Sequence, residues 1–345
     1  MKFGAFDHND RGIVPTSEQY EARLQLAEAY DASGWIHAYH MAEHHGTPLG
    51  MAPSPAVFLA ALAQRTKTLR FGAMVFCLAG YHPYRFYEEL CMLDQMSRGR
   101  LELGIGRGVS PIELSFLGVT DPKIADAMYA ESLEVLFRAF EAEDGVLNFK
   151  GEHYAFDNVP IVMQPYQKPR PPLWYGIGSP GTTVWAAKNS VNLMSNLPPA
   201  EVRVLRDRYH VEWANAGREP GDIPFFGSTK FTVVADTDAE AVALARSAYA
   251  MYSDNTQHLA RMYNTQKRRV WRSDFDEARA AGLIAAGSPK TVRDYLANFI
   301  DESGINYLAV RIAFGDLTLE QSRHSLDLLT QYVFPDLAEL APAMA

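Results

Sequence analysis

Eight stretches able to form buried strands alternate along this chain with eight runs of helical length, and that alternation restricts the fold more than any other feature. "MKFGAFD" precedes the run 17–33, "WIHAYHMA" the run 55–66, "LRFGAMVFC" the run 83–96 and "RLELGIG" the run 125–143. "LWYGI" leads into a helix from Thr182, "VNLMS" into 200–216, "FFGSTKFTVVA" into 239–254 and "NYLAVRIAF" into 319–333. A helix between strands carries the chain back to begin the next strand in the same direction, so the pattern implies a parallel sheet. Eight units predict an α/β TIM (β/α)8 barrel, one domain over 1–345, with a doubly wound open sheet as the alternative. Two segments exceed ordinary connections. The first, 147–172, is expected to hold a hairpin; the second, 255–289, is expected to form a lid, with Lys267, Arg268, Arg269 and Arg272 facing an anion or simply solvent.

Composition narrows the function. A 48% hydrophobic content over 345 residues supports a large core, while a formal charge of -9 leaves no basic face for nucleic acid. No apolar run approaches the length of a membrane span and the first residues lack a leader-type apolar stretch, so a cytoplasmic, non-membrane protein is expected. Two cysteines, Cys77 and Cys91, can build neither a disulfide framework nor a thiolate metal cage.

In a parallel barrel the reactive residues gather just past the C-terminal strand ends. Asp7 and His8 follow the first strand, Glu43, His44 and His45 the second, Gly106, Arg107 and Gly108 the fourth, and Gly178, Ser179 and Gly181 the fifth. Each has a plainer reading: the histidines as caps or core residues, Arg107 as the partner of a nearby carboxylate. Adjacent His44 and His45 on extended chain point apart, His37 and His40 differ in facing, and no H-x-H or H-E-x-x-H occurs, so no metal site is expected. Lys230 as a Schiff-base lysine is disfavoured, since nothing in the sequence places a desolvating group beside it.

Gly176, Gly178 and Gly181 reproduce the spacing G-x-G-x-x-G between a strand and a helix, where unpaired backbone N–H groups favour an anion, most simply a phosphate. A dinucleotide site also needs an acid ending the next strand, to hold the ribose. "VNLMSN" ends in Asn196 instead. NAD is therefore disfavoured, and a plain helix cap or another phosphate-bearing cofactor remains.

Taken together, "MKFGAF", "AEHHG" (42–46), "HPYR" (82–85), "LDQMSRGRLELGIGRG" (93–108), "SPGTTVWAA" (179–187) and the ending from "GSPKTVRDYL" onward resemble the bacterial luciferase family of flavin-dependent monooxygenases, nearest to the luciferase α subunit. The likeness spans nearly the whole chain and is loose over 190–282. It implies a barrel that binds reduced FMN (FMNH2), with Arg107, the Val109 backbone, Ser179 and Thr182 on the phosphate above the turn at Gly178 and Gly181. It implies His44 as the catalytic histidine, Glu43 beside the flavin ring, and a non-prolyl cis peptide between Met74 and Val75. The implied chemistry is attack of reduced flavin, supplied by a separate reductase, on O2. The resulting C4a-hydroperoxide would hand one oxygen atom to a small organic substrate, an aldehyde, ketone or hydrocarbon. A homodimer is implied as well, through the helices at 55–66 and 83–96, whose Phe58, Leu59, Leu62, Phe86, Tyr87, Leu90 and Met92 exceed one inward stripe. The sequence departs from the luciferase pattern at Gly106, which replaces a reactive cysteine, and at Glu113, which replaces a shorter acid. An F420-dependent hydride-transfer enzyme and a non-catalytic flavin-binding protein are the competing readings.

Overall fold

All but one of the sheet pairings run parallel, and their order closes a ring. The computed structural model describes residues 1–108, 110–142, 145–265 and 272–340. In chain order, β1 (Lys2–Asp7) leads to α1 (Thr16–Ser33), β2 (Ile36–Met41) to α2 (Pro55–Arg65), and β3 (Arg70–Ala73) with β4 (Phe76–Cys77) to α3 (Pro83–Ser97). β5 (Leu103–Gly106) leads to α4 (Pro111–Phe116) and α5 (Pro122–Phe140), followed by the pair β6 (Val146–Lys150) and β7 (Ala155–Pro160). Then come β8 (Leu173–Gly176) with α6 (Thr183–Lys188), β9 (Asn192–Met194) with α7 (Pro199–Asn215), and β10 (Phe226–Val234) with α8 (Asp238–Thr256). Two short helices, α9 (His258–Met262) and α10 (Phe275–Ala280), precede β11 (Ile284–Gly287) and α11 (Pro289–Ser303); β12 (Tyr307–Arg311), α12 (Leu319–Leu328) and α13 (Phe334–Ala338) complete the chain.

The ladder runs β3-β2-β1-β12-β10-β9-β8-β5-β4, and a parallel bridge from Phe71 to Leu101 joins its two ends, closing a TIM barrel. β3 and β4 are one stave broken at the cis peptide Met74–Val75. The ring therefore has eight staves. Its lower interior is filled by Tyr307, whose ring packs on Trp174 at 4.9 Å and whose hydroxyl meets His40 Nε2 at 2.8 Å. Gly4 makes room for it, since a Cβ there would lie 2.0 Å from the Tyr307 oxygen. His40 and His37 are barrel filling, pushed down to about 3 and about 4 chiefly by burial, so they stay neutral at physiological pH.

Three expectations change. The segment 255–289 is not all lid: its end is the buried strand β11, which pairs Ile284–Gly287 with Phe231–Val234 of β10. Its alanine side chains carry too weak an apolar signal to announce a strand, and the basic residues at 267–269 lie outside the described residues. Of the seven apolar residues expected at a dimer face, Phe58, Leu59, Leu62, Phe86, Tyr87 and Leu90 belong to this chain's own core, because α2 and α3 pack on each other as well as on the barrel; only Met92 is exposed. Lys230 is desolvated after all. It is 1% exposed, donates to Gly282 O at 2.8 Å, lies over the Phe299 ring and is lowered to about 7 by burial and by Arg311. It contacts the helix layer rather than the cavity. The segment 147–172 does contain a hairpin, β6 against β7.

Candidate active site

A cavity of about 560 Å³ opens at the C-terminal ends of the staves. Of the residues expected there, Glu43, His44, Met74 and Val75 line it, as does Gly176 of the glycine turn. Gly178, Ser179, Gly181, Thr182 and Arg107 lie outside its lining, and Val109 lies outside the described residues.

His44 follows β2 in extended chain and is held from below by α4. Ser110 caps that helix by accepting from Glu113 N, and Glu113 in turn accepts from His44 Nδ1 at 3.1 Å and from His45 N at 2.9 Å. Burial pushes the Glu113 carboxyl up, but the bonds from His44, His45 and Ser110 outweigh it and leave the group below its ordinary value. An ionised carboxylate can only accept, so Nδ1 carries the proton and Nε2 is the ring atom able to take or give one. This oriented pair joins residues 69 positions apart in sequence.

Glu43 is anchored elsewhere. One oxygen meets His45 Nε2 at 2.9 Å; the other accepts from Tyr81 Oη at 2.8 Å and Cys77 N at 3.2 Å, tying β2 to β4. The bond to Glu43 raises His45. Burial, reinforced by Glu43 and Glu113, pushes the Cys77 thiol up, which makes it a poor nucleophile. His8 stacks on His44 at 5.6 Å and is held neutral, first by burial and then by the charges of Arg311 and His44.

The expected phosphate end divides. Arg107 is exposed and paired with Asp126 on α5 at 2.6 Å, the plainer reading of that residue. The glycine turn is different. Ser179 immediately precedes the short 3-10 turn Pro180–Thr182 and Thr182 immediately precedes α6, yet neither side chain caps its helix. Gly176, Gly178 and Gly181 have no positive φ, and a Cβ on any of them would meet nothing within 4 Å. Neither backbone conformation nor packing within the chain demands glycine there, and the space above the turn is open.

Arg311, Asn196 and the α8–α9 corner, with Thr256, Gln257 and Leu259, also line the cavity and escaped the sequence reading. Arg311 was visible as a lone cation inside the apolar strand "YLAVRIAF", which should have marked it.

The chain belongs to the family described as luciferase-like monooxygenase, whose pattern it matches over residues 1–307. It is 38% identical over 325 residues to uncharacterized protein y4wF of Sinorhizobium fredii, covering 94% of each chain. It is 28% identical over 261 residues to the oxygenase component of a flavin-dependent trigonelline monooxygenase of Acinetobacter baylyi, covering 73% of this chain and 70% of the other. Among solved structures it superposes on monooxygenase RslO1 of Streptomyces bottropensis with a TM-score of 0.86, 24% identity and coverage of 98% and 100%. It superposes on the oxygenating constituent of 3,6-diketocamphane monooxygenase of Pseudomonas putida, solved with FMN, with a TM-score of 0.77, 18% identity and coverage of 97% and 98%.

Proposed function

We propose that the chain is the oxygenase of a two-component monooxygenase, using reduced FMN from a separate reductase and O2 to oxygenate a small organic substrate such as an aldehyde, ketone or hydrocarbon. The observation that carries this reading is the His44–Glu113 pair, set on the wall of a barrel-mouth cavity beside the Met74–Val75 cis peptide. The cavity's largely apolar lining fits the flavin ring, and the open glycine turn fits its phosphate. When bound, the flavin supplies the reducing electrons that activate O2. The chain supplies the surroundings.

Met74 and Val75 form the wall against which the ring would rest, and Glu43 fixes that wall by holding Cys77 N and Tyr81. Gly178, Ser179, Gly181 and Thr182 offer hydroxyls that cap no helix and an unobstructed backbone to the phosphate, with Arg107 completing that end. His44 holds or moves a proton at Nε2 while Glu113 fixes the tautomer. Leu259 and Ala260 on α9 add apolar surface to the cavity lining, and water excluded there would spare a reactive oxygen species from breakdown. The reading includes a cytoplasmic homodimer whose interface uses what α2 and α3 leave exposed, Val57, Met92 and Met96.

The reading is tested by anaerobic titration with reduced FMN, reduced riboflavin and reduced F420. Reduced FMN is expected to bind at least tenfold more tightly than either of the others. Preference for reduced F420 overturns the oxygenase reading in favour of hydride transfer.

A further inference from the structure

The side chain of Asn196 is anchored by its oxygen alone. β9 ends at Met194 while its neighbour β10 runs on to Val234, and past that end Asn196 takes up the ladder with its side chain. The register that pairs Met194 with Gly227 brings Thr229 beside Asn196, whose Oδ1 accepts from Thr229 N at 3.2 Å and from Thr229 Oγ1 at 2.8 Å. A backbone N–H can only donate, so the amide atom that faces it is the oxygen. The hydroxyl agrees, because Thr229 Oγ1 accepts from Nε and Nη2 of Arg311 at 3.0 and 2.6 Å and has its own proton left for Asn196. The amide is thus fixed in one orientation. Its Nδ2 donates to no group among the described residues, and Asn196 lines the cavity.

Position on the ring gives that donor a use. β9 stands opposite β2, so Asn196 sits across the barrel mouth from His44. The parts assigned to the flavin, namely β4 and the turns after β5 and β8, fill one side of the ring between these two residues. The other side, from β9 through β10, β12 and β1 to β2, bounds the space left for a substrate. Phe6, Met74 and Met194 belong to the apolar cluster beneath that space and also line the cavity. Several of the other polar groups there are engaged already: Glu43 with His45, Tyr81 and Cys77 N, Glu113 with His44 and His45 N, and Thr256 Oγ1 with Tyr252 O. A donor left dry in an apolar chamber is costly, so a ligand gains by bringing an acceptor to it. Since the donor is a neutral amide, a neutral oxygen suits it, and a carbonyl oxygen offers two lone pairs.

We propose that Asn196 is a specificity-determining residue whose Nδ2 binds the carbonyl oxygen of a neutral organic substrate, with the apolar body of that substrate lying across the chamber toward His44. Among aldehydes, ketones and hydrocarbons, the chain is thereby assigned the carbonyl compounds. The assignment rests on the oxygenase reading for the fate of the bound molecule, but the binding site is tested without flavin.

Isothermal titration of the flavin-free chain would compare benzaldehyde with styrene, acetophenone with α-methylstyrene and cyclohexanone with methylenecyclohexane, pairs of one shape in which a methylene replaces the oxygen. At least one carbonyl compound is expected to bind. Asn196→Ala should weaken it about 2- to 12-fold, the range for a neutral hydrogen bond, and leave its methylene counterpart unchanged. Asn196→Asp, ionised, keeps the oxygen that accepts from Thr229 but sets a second acceptor in place of the donor, so it should weaken the carbonyl compound at least as much. This second variant carries the test if Asn196→Ala does not fold. Failure of all three carbonyl compounds to bind at millimolar concentration overturns the proposal, as does an equal loss for both members of a pair or no loss in either variant. A separate anaerobic titration of Asn196→Ala with reduced FMN completes the test: loss of flavin affinity equal to the loss for the carbonyl compound would make Asn196 a flavin ligand and overturn the proposal. Asn196-dependent carbonyl binding in a chain that ignores FMN would sustain the carbonyl site while removing the oxygenase reading.

Discussion

Replacing Asp126 tests the proposed phosphate site in a direction that ordinary loss-of-function changes cannot. Arg107 is paired with Asp126 at 2.6 Å, both side chains more than half exposed, so holding the phosphate requires Arg107 to leave that partner. An exposed pair of this kind is worth about 0–1 kcal/mol, while a hydrogen bond to a charged group contributes about 1.5–3 kcal/mol. The net gain of about 0.5–3 kcal/mol corresponds to about 2- to 150-fold in affinity. Arg107→Ala should weaken reduced FMN by that factor and leave reduced riboflavin, which lacks the phosphate, unchanged. Asp126→Asn should act oppositely, tightening reduced FMN by up to about fivefold as Arg107 is released. Anaerobic fluorescence titration of both flavins against the two variants measures all four values. Unchanged FMN affinity in Arg107→Ala, or weaker binding in Asp126→Asn, would refute a phosphate role for Arg107 and leave it a surface ion pair.

His44→Ala should retain reduced FMN within a few-fold but, once O2 is admitted, divert the reducing electrons to hydrogen peroxide, lowering oxygenated product about 10²- to 10⁴-fold; product within a few-fold of wild type would exclude His44 from proton handling. Asp10, raised to about 7 by burial, keeps its proton in the folded chain above the pH at which the unfolded chain loses it, so stability falls as pH rises from about 4 to about 7. Asp10→Asn removes that dependence, and its urea midpoint should climb relative to wild type between pH 4.5 and 7.5; parallel curves would contradict the assignment. Amides of 256–265 should exchange faster than those of β10 without flavin and slow when FMN binds, whereas equal protection in both states would show a fixed wall. Sedimentation should find a dimer that Met92→Glu weakens, and a wild-type monomer at micromolar concentration would end that reading.

The barrel was legible because its strands are continuous apolar runs separated by helices. "NYLAVRIAF" and "FFGSTKFTVVA" each yield a stave near its expected place. β11 was not, since "IAAG" carries little β signal and gains its identity only from pairing with β10. Among the residues that line the cavity, His44 could be placed at the barrel mouth from its position after β2, but its bond to Glu113 spans 69 residues and exists only once α4 has folded. The glycine turn showed its spacing in sequence; that its glycines have ordinary φ and open space around them is a property of the folded turn. Lys230 failed for the same reason, because Phe299, which desolvates it, lies 69 residues downstream on α11.

The pairing of Gly106 with Val75 couples what each position can hold. A Cβ at position 106 would lie 2.4 Å from Val75 Cγ2, so the valine methyl occupies the volume that a cysteine side chain at 106 would need. Neither position is then free to vary alone: Gly106→Cys enters a filled site, and shortening Val75 without it leaves a hole in the cavity wall. A cysteine at 106 therefore takes two changes rather than one, with Val75 shortened to vacate the volume that the sulfur-bearing side chain would fill.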